Sequence, residues 1–86
     1  MKFLKKRKKT KEEIIAIIES FIAGKGNEWD WDDFISIPIY NQELEKIRFR
    51  CLELPKEFPP DSAGKYCNKK GVEALKKIIL ELKIQN

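Results

Sequence analysis

Apolar residues recur at helical spacing in four stretches of the chain, and nowhere alternate at the period of two that a half-buried strand requires. In the first stretch, Ile14, Ile17, Ile18, Phe21 and Ile22 step by three and four. Thr10 followed three residues later by Glu13 is a capping box ahead of them, and Gly24, with Gly26 and Asn27 close behind, stops the helix in a turn. The second stretch is Trp29-Asp30-Trp31-Asp32-Asp33-Phe34-Ile35-Ser36-Ile37-Pro38, which predicts a short helix. Asp30 serves as its N-cap, Asp32 and Asp33 place negative charge in the first turn, and Pro38 ends it. Trp29 and Phe34 then form a hydrophobic staple.

Asn41 is a cap for a third helix running to about Leu54, with Leu44, Ile47, Cys51 and Leu54 as its stripe and Pro55 closing it. At 100° per residue Arg48 falls between Cys51 and Leu52, so its head must reach water or pair with a carboxylate. Residues 55–67 hold three prolines and Gly64 and form a long connection, either packed by Phe58 and Tyr66 or functional. Asn68 caps the last helix, whose buried face is Val72, Leu75, Ile78, Ile79 and Leu82. The pattern predicts an all-α fold: a small, bundle-like single domain of four helices, one of them short, over residues 10–86, preceded by a basic N-terminal arm over 1–9.

Composition supports a globular reading, since 42% of the 86 residues are apolar and 37% charged. That is too apolar for a disordered chain and too charged for a membrane protein. The longest apolar run, Ile14 to Ile18, is far short of the roughly 20 residues that span a bilayer. Glu12, Glu13 and Glu19 around it argue against a signal peptide. Two cysteines and no histidine exclude a disulfide framework and a Cys/His zinc site within one chain, so a reducing, cytoplasmic location is expected.

The net charge of +4 is unevenly spread. Seven basic residues and no acid lie in residues 1–11, which leaves the body mildly acidic. Residues 28–45 carry six acids and no Lys or Arg, whereas residues 65–83 carry six lysines against two glutamates. The folded domain should be electrically polarised.

Catalytic chemistry by the common routes lacks its parts: no histidine for a triad or general base, no phosphate-binding Gly-rich loop and no dinucleotide fingerprint. Asp30, Asp32 and Asp33 offer oxygen ligands for a hard cation or carboxylates for acid and base work, but capping and the helix dipole already account for them. No enzyme activity, metal or cofactor is expected. Trp31 either builds a core corner or stands exposed in an acidic rim, the composition of an interface hot spot. Lys5, Lys6, Arg7, Lys8 and Lys9 are either a nucleic-acid-binding arm or a solvated terminus. Cys51 reads as a small core residue, and Cys67 as semi-exposed with its pKa lowered by the helix that follows.

The segment Trp29 to Phe34, followed by Ile37-Pro38 and Pro59-Pro60, resembles a set of small bacterial proteins that share a WDWDDF-type motif; this resemblance implies no activity. Over about a third of the chain, Phe58, Pro60, Asp61, Tyr66, Gly71, Val72, Ile79 and Leu80 are spaced somewhat like the C-terminal part of colicin D-type immunity proteins. That resemblance implies a small helical bundle that blocks a basic nuclease through an acidic surface. The expected function is a protein-binding module, of immunity or inhibitor type, presenting Trp31, Asp32, Asp33, Glu43 and Glu45 to a basic partner. The alternative is a small nucleic-acid- or ribosome-associated protein using the lysine-rich start.

Overall fold

In the computed structural model, which describes residues 7–24, 28–63 and 65–84 and only the backbone of 28–30, the chain forms five helices in succession. They are α1 (Lys11–Ala23), α2 (Glu28–Ser36), α3 (Gln42–Leu52), α4 (Leu54–Glu57) and α5 (Lys69–Ile84). The all-α class is as the sequence predicts, with one extra turn of helix. α1 packs on both α2 and α5, α2 also packs on α3, and α4 bridges α3 to α5.

The capping chemistry follows the sequence. The Thr10 hydroxyl accepts from the Glu13 N–H at 3.1 Å and the Glu13 carboxylate accepts from the Thr10 N–H at 2.9 Å, closing the capping box. Gly24 ends α1 at φ 69°, a left-handed conformation that glycine adopts without a Cβ clash. Asn41 accepts from Leu44 N–H and Asn68 from Gly71 N–H, both at 3.1 Å, so each occupies the cap position read from the sequence.

Two boundaries differ. α2 begins at Glu28, so Asp30 lies inside its first turn and is not the cap; acids there still complement the positive end of the helix. The expected staple falls on the Trp29 side chain, outside the described residues. Pro55 does not close α3. It sits in the first turn of α4, where a missing N–H costs nothing because first-turn amides have no helical partner. The connection after α4 is packed as well as long: Asn68 N–H donates to the Phe58 carbonyl at 3.2 Å, and the Tyr66 hydroxyl donates to the Cys51 carbonyl at 2.7 Å.

The core joins every helix. Ile14 and Ile18 from α1 meet Phe34 and Ile35 from α2, Leu44, Ile47 and Cys51 from α3, Leu54 from α4, and Leu75, Ile78, Ile79 and Leu82 from α5. Gly71 permits a close approach at the start of α5. A Cβ there would lie 2.7 Å from the Cys67 Cβ and 3.1 Å from that of Phe58.

Candidate interaction surface

Trp31 is not displayed. It is 5% exposed, stacks on Phe21 with ring centroids 4.0 Å apart, and meets Tyr66 edge-on at 5.4 Å. Phe34 completes the cluster at 5.6 Å. The reason lies in helical geometry: Trp31, Phe34 and Ile35 step by three and four, so one face of α2 carries all three inward. Its indole Nε1 makes no hydrogen bond among the described residues.

The acidic residues divide. Asp33 is taken by Arg7, whose guanidinium grips both carboxylate oxygens, one at 2.9 Å. The backbone there is docked too: Arg7 N–H donates to the Pro38 carbonyl and Tyr40 N–H to the Arg7 carbonyl, both at 2.8 Å, forming a single parallel bridge between Arg7 and Ile39. Residue 7 of the basic N-terminal arm is therefore fixed to the body. Lys8 and Lys9 follow it at the surface, and Lys5 and Lys6 lie outside the described residues. Glu45 is taken by Arg48, through hydrogen bonds of 2.8 Å from Nε and 2.6 Å from Nη2, and also accepts the Ile39 N–H at 2.8 Å. Only Asp32 and Glu43 of the five expected partner-binding residues are exposed and free of an ion pair among the described residues.

Arg48 serves the fold. It is 7% exposed, and its Nη1 donates to the Ile35 carbonyl in the last turn of α2. The last four carbonyls of a helix have no partner within it, and α2 carries no basic residue in that turn, so α3 supplies both the donor and the positive charge. The hydrogen bonds to Glu45 raise the Arg48 pKa further, against the opposing effect of burial.

The remaining large apolar groups at the surface belong to residues that sequence reasoning passed over. Phe49, 53% exposed, shares a shallow, open depression on the outer side of α3 with Glu45, Lys46 and Arg50. Leu52, one turn on, is 38% exposed, and Asp32 lies close enough for its charge to be felt at Tyr66, whose hydroxyl sits against the Cys51 and Leu52 carbonyls. The signal was in the sequence: projected at 100° per residue, Phe49 stands across the helix from the Leu44, Ile47 and Cys51 stripe.

Reactive groups are sealed. Burial pushes the Cys51 thiol from 9.0 up to about 12, and burial likewise pushes the Tyr66 phenol from 10.0 up to about 12. Cys67, expected to be semi-exposed with a lowered pKa, is 5% exposed and its pKa is raised by burial. These groups fold protonated, so their stabilisation is complete below pH 9.0 and is lost as pH rises toward about 12. The thermal midpoint should accordingly be flat from neutral pH to about pH 9 and fall steeply above it. Cys51→Ala should flatten that fall; an unchanged alkaline slope in that variant would show that the thiol does not titrate with unfolding.

Among the described residues no group of three or more Cys, Asp or Glu side chains is placed to hold a metal ion, and no helix is long and apolar enough to cross a membrane. Fold and surface define a small all-α domain in which Trp31 and Phe34 are built into the core and Asp33 into an ion pair with Arg7, while Asp32 stays exposed. No known family, curated protein or solved structure matches this chain.

Proposed function

We propose that the protein is a non-catalytic, cytoplasmic binding module that docks another protein on the outer face of α3, with Phe49 as the anchor. The observation that carries this reading is the half-exposed Phe49 above its open depression, on a helix whose opposite face is fully packed. An aromatic side chain ringed by Lys46, Glu45 and Arg50 has the make-up of an interface centre with a polar rim. Asp32 and Glu43 are the free acids available to steer a basic partner, as an immunity-type inhibitor would require. The titratable groups whose pKa is displaced all move away from neutrality, which suits a scaffold better than acid–base chemistry. Two buried free thiols accord with a reducing compartment.

The test is capture of a partner from nuclease-treated lysate on the immobilised full chain, identification of it, and measurement of its affinity for wild type and Phe49→Ala. Loss of a buried aromatic anchor should weaken binding about tenfold or more, while thermal stability stays within about 0.5 kcal/mol. Equal affinity for the variant would remove Phe49 from the interface. Capture abolished by nuclease would favour the lysine-rich start and a nucleic-acid partner.

A further inference from the structure

The outward face of α5 departs from the electrostatics of the other capped helices. α1 opens with Glu12 and Glu13 and α3 with Glu43 and Glu45, each placing negative charge at the positive end of the helix dipole. α5 has no acid in its first turn and opens instead with Lys69 and Lys70. Two turns further on come Lys76 and Lys77, all four exposed. Elsewhere, charges on this surface are matched between helices, Arg50 with Glu81 and Lys83 with Glu19, both at 3.2 Å. Lys69, Lys70 and Lys77 have no ion pair among the described residues, and Lys76 has only the exposed Glu73 at 3.9 Å. The same face ends in Leu80, 58% exposed, and Ile84, 76% exposed, one turn apart. At 1.5 Å per residue, the four lysines and the apolar pair are centred about 14 Å apart along the axis.

We propose that this face of α5 is a second docking surface, distinct from the Phe49 face, for an acidic amphipathic helix of a partner protein. The partner's carboxylates lie over Lys69, Lys70, Lys76 and Lys77, and its apolar side chains cover Leu80 and Ile84. Charge complementarity selects this occupant. A carboxylate over the first turn meets two ammonium groups and the positive end of the helix dipole together, which relieves the unfavourable placement of the lysines. A second copy of this chain is disfavoured, because antiparallel pairing of the face sets Lys69 and Lys70 against apolar Leu80 and Ile84, and parallel pairing sets the same lysines against one another. Nucleic acid would leave Leu80 and Ile84 unused and finds no aromatic platform among these residues. A lipid surface is disfavoured because the broad apolar face of α5 is already committed to the core.

The test uses the full chain and a labelled peptide probe of about 16 residues, the length of α5, with glutamates in one half and two leucines one turn apart in the other. Fluorescence anisotropy should show salt-sensitive binding, weakened roughly tenfold or more by the pair Lys70→Glu and Lys77→Glu and severalfold by Leu80→Ser with Ile84→Ser. The Lys70→Glu change should at the same time raise the thermal midpoint, since it restores an acid near the start of the helix; a merely structural lysine would lose stability when reversed. Phe49→Ala should leave peptide affinity unchanged, so failure here and failure of the Phe49 reading are distinguishable. Unchanged binding after the lysine reversals would overturn the proposal. So would equal binding of a leucine-free polyglutamate, or tighter binding of single-stranded DNA or phosphatidylserine-rich vesicles.

Discussion

Trp31→Ala should cost about 3–5 kcal/mol of folding stability, because it empties a site packed on three sides by aromatic rings. For a chain of 86 residues the whole stability is of the order of 4–13 kcal/mol, so this one change brings the domain close to unfolding. The loss combines the transfer of a large apolar surface with the cavity left between α1, α2 and Tyr66, which fixed helices cannot fully close. Trp31→Phe should cost much less. It keeps a ring against Phe21 and removes an indole N–H that has no hydrogen-bond partner among the described residues. Denaturant unfolding followed by circular dichroism measures both. A Trp31→Ala protein within about 1 kcal/mol of wild type would mean the side chain is not in the core.

Arg48→Ala should cost about 2–4 kcal/mol by a different route. Removing the guanidinium takes the donor from the Ile35 carbonyl and two charge-assisted hydrogen bonds from the Glu45 carboxylate beside the core. Since the Glu45 side chain is one-third exposed, water recovers part of that loss, and the figure lies below that of a fully buried pair. Arg48→Lys should recover only part of the stability, because an ammonium cannot span both Glu45 oxygens and the carbonyl together. A double-mutant cycle with Glu45→Gln should give a coupling of about 1 kcal/mol or more. Additive effects would show that the two side chains act independently.

The fold was largely legible in the sequence because local chemistry and apolar spacing agreed. Thr10 with Glu13, Asn41, Asn68 and Gly24 each mark a helix end by a mechanism that needs no tertiary context. The stripes of α3 and α5 were likewise explicit. Pro55 was ambiguous, since proline both follows one helix and begins another, and only the packing of Leu54 decides for α4.

The site was less legible because what a charged or aromatic residue touches depends on segments distant in sequence. Nothing near Asp33 announces that Arg7, 26 residues earlier, will take it. Arg48 was recognised as needing a carboxylate, but its second duty, at the end of α2, depends on how α2 lies against α3. Trp31 is a different case. Its spacing to Phe34 and Ile35 was visible and puts all three on one buried face of α2. Phe49, Leu80 and Ile84 were visible too, as large apolar residues off their helices' buried stripes.

Trp31 belongs to the scaffold, and the aromatic anchor of the proposed interface is Phe49 on another face. Acrylamide quenching of a Trp29→Phe variant, in which Trp31 is the remaining indole, tests the place of Trp31 most directly. A blue-shifted emission with a quenching constant far below that of the unfolded chain is the expected result. Emission and quenching like those of the unfolded chain, in a protein that circular dichroism shows to be folded, would place Trp31 at the surface and contradict the account.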